Sequence, residues 1–210
     1  MFTENLFEYD EANHIGYYCG KIVPSITQLI EAIFPIDPNI PTSVLKKAAD
    51  KGTQVHELIQ KFNEAKDNEP LNELLKNADV QNYYAFLKAL DFFPKYSEKL
   101  VFLRDEKGDL IAYGHFDFIL ECLKENMFGE ENQLVLGDLK TTSVLDKKKV
   151  HLQTELYRVA AMQTLNIKIS EKTFALHLRD GKIKFYPFLA RNEKDTILLA
   201  QSLKELWKNA

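Results

Sequence analysis

Between residues 97 and 140 the chain changes period, and that change limits its possible folds more than any other feature. Upstream, "VPSITQLIEAIFP" (23–35) and "QVHELIQKFNEA" (54–65) place apolar residues at helical spacing, with Val55, Ile59 and Phe62 at i, i+4 and i+7. Downstream, "SEKLVFLRDEKGDLIAYGHFDFILECL" (97–123) alternates as strand, turn and strand, with "DEKGD" (105–109) as the turn. "QLVLGDLK" (133–140) follows as a third strand beyond the turn-rich "KENMFGEEN". Adjacent strands of this kind need a sheet, and the sheet needs helices to cover it.

The remaining elements fit that frame. Ser25 after Pro24 predicts the N-cap of a first helix, which Pro35 closes. A second helical stretch runs from Val44 to about Ala49, and Gly52 and Thr53 lead into the next. One or two more helices are expected before Pro94. Helix is expected again from about Lys148 to Leu165, then a hairpin turning at Asp180-Gly181, then a closing amphipathic helix. The order is helices, strands, helix, strands, helix: an α/β chain. Its 210 residues are expected to form one domain, mainly helical over 1–94, with the sheet and its flanking helices over 95–210.

Composition narrows the setting. No apolar run approaches the roughly 20 residues that span a bilayer, and the acidic, aromatic start lacks the pattern of a signal peptide, so a cytoplasmic protein without membrane contact is expected. Cys19 and Cys122, the only cysteines, cannot furnish a four-cysteine zinc site or iron–sulfur cluster, and both are expected buried and reduced. The net charge of −4 gives no global pull on nucleic acid, so local charge matters more. Two basic clusters, containing Lys46 and Lys47 and Lys147, Lys148 and Lys149, are candidate contacts to a phosphate backbone.

Asp138 and Lys140 stand two apart on a strand and emerge on one face. A hairpin loop centred on Phe128 brings Asp117 opposite Leu139, beside both. Carboxylates on neighbouring strands repel unless a cation lies between them, and Mg2+ or Mn2+ suits such oxygen donors. Alone, a D-x-K reads as a surface ion pair, His56 as a helix-surface or capping histidine, and Gln153 and Tyr157 as a polar helix edge and a half-buried ring.

Together these segments resemble the PD-(D/E)XK nuclease superfamily, most closely RecB-type nuclease domains and phage-type exonucleases. "VPSITQLI", "KGTQVHELIQ", the strand pair ending at Asp117, "LGDLKTT" and "QTELYRVAA" follow in the family's order. The resemblance implies a restriction-endonuclease-like core, a central mixed β-sheet flanked by helices, preceded by a helical region. It implies a metal held by His56, Asp117, Asp138 and the Leu139 carbonyl, with Lys140 positioning water and Gln153 and Tyr157 holding phosphate or bracing Lys140. Glu98 falls where relatives often carry an acid, and is expected only to support the ligands from behind. The function implied is metal-dependent hydrolysis of DNA by an exonuclease of phage or mobile-element recombination, with a recombination partner protein. A structure-specific endonuclease and a non-catalytic DNA- or protein-binding module are the alternatives. There is no Walker A sequence, so no ATP-driven motor is expected, and oligomeric state stays open.

Overall fold

The computed structural model describes residues 2–11, 13–65, 68–179 and 181–209, leaving aside the side chains of residues 68–70. Three short strands come first: β1 (Phe7–Asp10), β2 (Ile15–Tyr18) and β3 (Lys21–Val23), an antiparallel meander. The sequence reading anticipated no strand here, because four-residue strands are too short to show a period. Cys19, expected buried, is exposed with φ 51° at the β2–β3 turn, next to Gly20 at φ 71°; Cys122 is buried as expected.

Four helices follow: α1 (Ile26–Glu31), α2 (Thr42–Glu64), α3 (Asn68–Leu74) and α4 (Ala78–Ala89). At the start of α1, the Gln28 N–H donates to Ser25 Oγ and the Ser25 N–H donates to Gln28 Oε1, a complete capping box. Ser25→Ala is expected to cost about 1 kcal/mol, read as a lowered midpoint in urea unfolding at unchanged slope. The interruption expected at Gly52 is absent, and α2 runs unbroken for 23 residues. Gly52 costs it about 1 kcal/mol of helix propensity, but the helix passes Thr141 there, and a Cβ would stand 3.4 Å from the threonine Oγ1.

The sheet has the order β4 (Phe92–Arg104), β5 (Leu110–Cys122), β6 (Leu134–Lys140), β7 (Lys172–Arg179) and β8 (Lys182–Leu189). All neighbours are antiparallel except β6 and β7, which run parallel because α5 (Lys147–Leu165) carries the chain back between them. β4 starts at Phe92, so Pro94 lies inside a strand instead of ending a helix. Gly181 turns at φ 67° between β7 and β8; its expected turn partner Asp180 lies outside the described residues.

Two apolar layers sandwich this sheet. One joins α1, α5 and α6 (Glu193–Lys208) to residues such as Phe116, Ile119 and Leu136. The other joins α2 and α4 to Phe118, Leu120, Val135, Leu139 and Phe174. The meander covers the outer part of β4 and β5 through Phe7, Tyr9, Phe102 and Tyr113. The result is a mixed α/β fold with a five-stranded mixed sheet flanked by helices. No helix among the described residues is long and apolar enough to cross a membrane.

Candidate active site

The two layers also show where the sheet loses its regularity. Phe116 packs with α5 while Phe118, two residues on, packs with α4. Residues two apart on a regular strand share a face, so the alternation of β5 breaks at Asp117. On β4 the pairs Ser97↔Phe118 and Lys99↔Phe116 leave Glu98 opposite Asp117, and Glu98 has φ 47°. A left-handed conformation costs a non-glycine residue on the order of 1 kcal/mol, and such strain gathers at functional sites. On the other side, pairing of β5 with β6 runs to Phe118↔Gly137. The next rung sets Asp117 level with Asp138, one residue from the register expected, because the connecting loop is centred between Met127 and Phe128 and not on Phe128.

Glu98, Asp117 and Asp138 therefore stand in a row across three strands, and α2 lays His56 over the first two. His56 Nδ1 is 3.3 Å from Glu98 Oε1 and 3.4 Å from Asp117 Oδ1. One donor atom from each of these three residues lies within 4.8 Å of the others, so they can hold a metal ion. Asp117 Oδ2 accepts a short hydrogen bond from the Leu139 N–H. Because the N–H and C=O of one strand residue point the same way, the Leu139 carbonyl also points to the β5 side of β6. Lys140 Nζ is 2.6 Å from Asp138 Oδ2.

The charges are strongly interdependent. Burial alone would lower the pKa of the His56 ring, but Asp117 and Glu98 outweigh it and push it up to about 10. Asp117 itself is held below the usual carboxylate range: burial acts to raise it, and His56, Lys140 and the Leu139 N–H prevail. Burial pushes Asp138 up to about 7 against the pull of Lys140, with Asp117 adding to the rise. Burial also raises Glu98, which His56 only partly offsets. Lys140 would be lowered by burial, but Asp138 and Asp117 raise it overall, so it carries its charge at neutral pH.

The donor set suits a divalent cation. Two carboxylates and an imidazole are the chemistry of Mg2+ and, with the nitrogen ligand, Mn2+. Asp138 Oδ2, in a residue only 2% exposed, meets Lys140 as an ion pair but has no aligned hydrogen-bond donor. Relative to the expected ligand set, Glu98 stands among the donor atoms instead of behind them.

A cation entering here must displace protons, since in its absence His56 holds one up to about 10 and Asp138 up to about 7. Fewer protons compete as pH rises, so affinity rises with pH. The increase in melting temperature caused by a fixed Mn2+ concentration is expected to be larger at about pH 8 than at about pH 6. Differential scanning fluorimetry with and without EDTA reads it, and a shift that shrinks toward pH 8 contradicts the donor assignment.

The other expected residues divide by position. Tyr157 of α5 is 5% exposed, with Thr27 beside its hydroxyl, and burial raises its pKa. A Cβ on Gly114 would come within 2.8 Å of that hydroxyl, so β5 lies directly on the ring. Gln153 is half-buried one turn earlier, and no hydrogen bond among the described residues ties it to the cluster. Lys46 and Lys47 are exposed on α2 well before His56. At the start of α5, Lys149 faces Glu31 at 4.0 Å, Lys147 lies 4.6 Å from the centre of the Tyr186 ring, and Lys148 is exposed.

No family model matches this chain, and no curated protein matches it. Among solved structures, SSO0001 aligns over 88% of this chain and 76% of its own, at 13% identity and a TM-score of 0.41. A protein of Eubacterium rectale, provisionally named an exonuclease, aligns over 89% of this chain and 82% of its own, at 8% identity and a TM-score of 0.41. Neither alignment bears on the chemistry, which stands on the side chains themselves.

Proposed function

We propose that the protein is a metal-dependent nuclease that hydrolyses phosphodiester bonds in DNA, acting as an exonuclease. The observation that carries this reading is the convergence of His56, Glu98 and Asp117 from α2, β4 and β5 beside the Asp138–Lys140 pair of β6. A structural ion-pair network has no need of three carboxylates on adjacent strands, which repel one another, nor of a strained Glu98. The His56, Glu98, Asp117 and Asp138 side chains, with the Leu139 carbonyl, would hold Mg2+ or Mn2+. Such an ion lowers the pKa of water and offsets charge on a phosphate.

The protein's own groups supply the rest. Lys140, charged and partly open to solvent, donates hydrogen bonds toward a phosphate oxygen on which charge builds during attack. The Leu139 N–H fixes Asp117, and Tyr157 braces the strands from behind. Incubation with linear duplex, single-stranded and closed circular DNA, with Mg2+, Mn2+ or EDTA, tests the reading. Metal-dependent loss of the linear forms alone is the expected result. Cutting of circles would make the enzyme an endonuclease, and binding without cutting under either metal would leave only a DNA-binding module.

A further inference from the structure

The site does not account for a basic groove elsewhere on the molecule. Beyond β6, residues 141–147 fold against the β7–β8 hairpin and enclose a groove of about 400 Å³. Lys147, His177, Arg179, Lys182, Lys184 and Tyr186 line it, and no carboxylate does so among the described residues. In a chain of net charge −4, a groove whose charged lining among the described residues is basic is a local inversion of sign.

Its placement follows from the register. Lys140 pairs with His177 across β6 and β7, and His177 pairs with Lys184 across β7 and β8. Residues directly opposite share a face, and strands lie about 4.8 Å apart. Lys140, His177 and Lys184 thus form a row about 10 Å long that starts at the proposed catalytic lysine. His177 Nε2 is fixed 2.7 Å from the Thr142 carbonyl, and Arg179 donates to the Ser143 carbonyl, so the loop is held to the hairpin. Lys147 rests over Tyr186, forming the other wall. Lys182 and Lys184 are exposed and have no carboxylate partner among the described residues.

We propose that this groove binds the phosphate backbone of the nucleic-acid strand that leads away from the cleavage site. The inference rests on the nuclease reading for its substrate and adds the path. A row of about 10 Å is long enough to meet more than one successive phosphate of a single strand. Contacts to phosphate carry no base preference, so the groove sets affinity and direction, not sequence.

Wild-type protein and the Lys182→Ala/Lys184→Ala variant should be titrated into a fluorescent oligonucleotide in EDTA, at several salt concentrations. Both lysines are exposed, so the fold is expected to survive, and circular dichroism checks it; Lys147→Ala serves as a second, independent variant. The expected result is about a tenfold weaker Kd for oligonucleotides of any sequence, with the slope of log K against log salt reduced by about 1.4 to 1.8. Unchanged affinity and slope in both variants overturn the proposal. So does direct binding of fluorescent poly-glutamate to wild type but not to the variant, with oligonucleotide Kd unchanged, since the groove would then serve an acidic protein segment. Calorimetric binding of inorganic tripolyphosphate at micromolar concentration to wild type but not to the variant, again without loss of oligonucleotide affinity in the variant, would overturn it in favour of a small polyanion. Because EDTA removes cleavage from the measurement, the two readings fail separately. A chain that binds through the groove but cuts nothing with metal loses only the nuclease, and one that cuts with unaltered binding loses only the groove.

Discussion

Lys140→Ala is expected to lower the rate of DNA hydrolysis by about 10³-fold, the scale seen when a single donor to a developing oxyanion is removed. The ammonium is the only cation the chain itself brings into contact with the Asp138 carboxylate among the described residues, at 2.6 Å. Neighbouring carboxylates keep it charged despite burial, so it acts as a donor and not as a base. Stability should change far less than rate. Removing a cation from a buried carboxylate is costly when the carboxylate must stay ionised. Asp138 already stands at about 7 and would rise further without Lys140, so it takes up a proton at neutral pH and escapes that cost. Single-turnover cleavage of linear duplex, with a thermal melt of the same sample, reads both quantities. A variant that cuts within threefold of wild type would remove Lys140 from the chemistry, whatever the fate of the nuclease reading. Lys140→Arg is no substitute for the native residue, because a planar guanidinium cannot occupy the same contact as a compact ammonium.

How much of this was legible in the sequence depends on how far each feature reaches along the chain. The sheet strands, α5, and the Val55–Ile59–Phe62 face of α2 announce themselves by period, which is local information. The proximity of Asp117 to Asp138 also follows from hairpin arithmetic, to within the one residue that loop geometry decides. Glu98, expected to support the ligands from behind, is a different case. Its place among the donors comes from a left-handed backbone inside a strand and from a helix 42 residues upstream, and alternation carries neither signal. Gly52 misled the reading because glycine marks a break or a close approach equally well, and here α2 passes Thr141 without breaking. Of the basic groove, the sequence marks only Lys147, because Lys182 and Lys184 lie far along the chain and only the pairings of β6, β7 and β8 bring Lys184 into line with His177 and Lys140.

Gly137→Val, at a buried position of β6, should be among the most destabilising changes available near the site, by about 3 kcal/mol or more. A Cβ on Gly137 would overlap the ring of Phe118 and stand 2.6 Å from Phe174 Cζ, far inside contact distance. Neither ring can retreat. Both are fully buried, and Phe174 is held by Phe86 at 5.4 Å, Phe128 at 5.0 Å and Phe92 at 5.9 Å between ring centres. The strand must move instead, and β6 carries Asp138 as its very next residue. A fall of about 10 °C in melting temperature is therefore expected for a chain of this length, together with a loss of cleavage that persists at temperatures where the variant is still folded. Making room offers the sharper test. Gly137→Ala combined with Phe118→Leu should be more stable than the sum of the two single changes by about 1 kcal/mol, because the shortened side chain accepts the methyl that the ring rejects. Strict additivity would mean that the glycine is needed for its backbone freedom and not for space. The ordinary strand pairing of Gly137 with Phe118 and Phe174, and its absence from the residues of positive φ, argue for space.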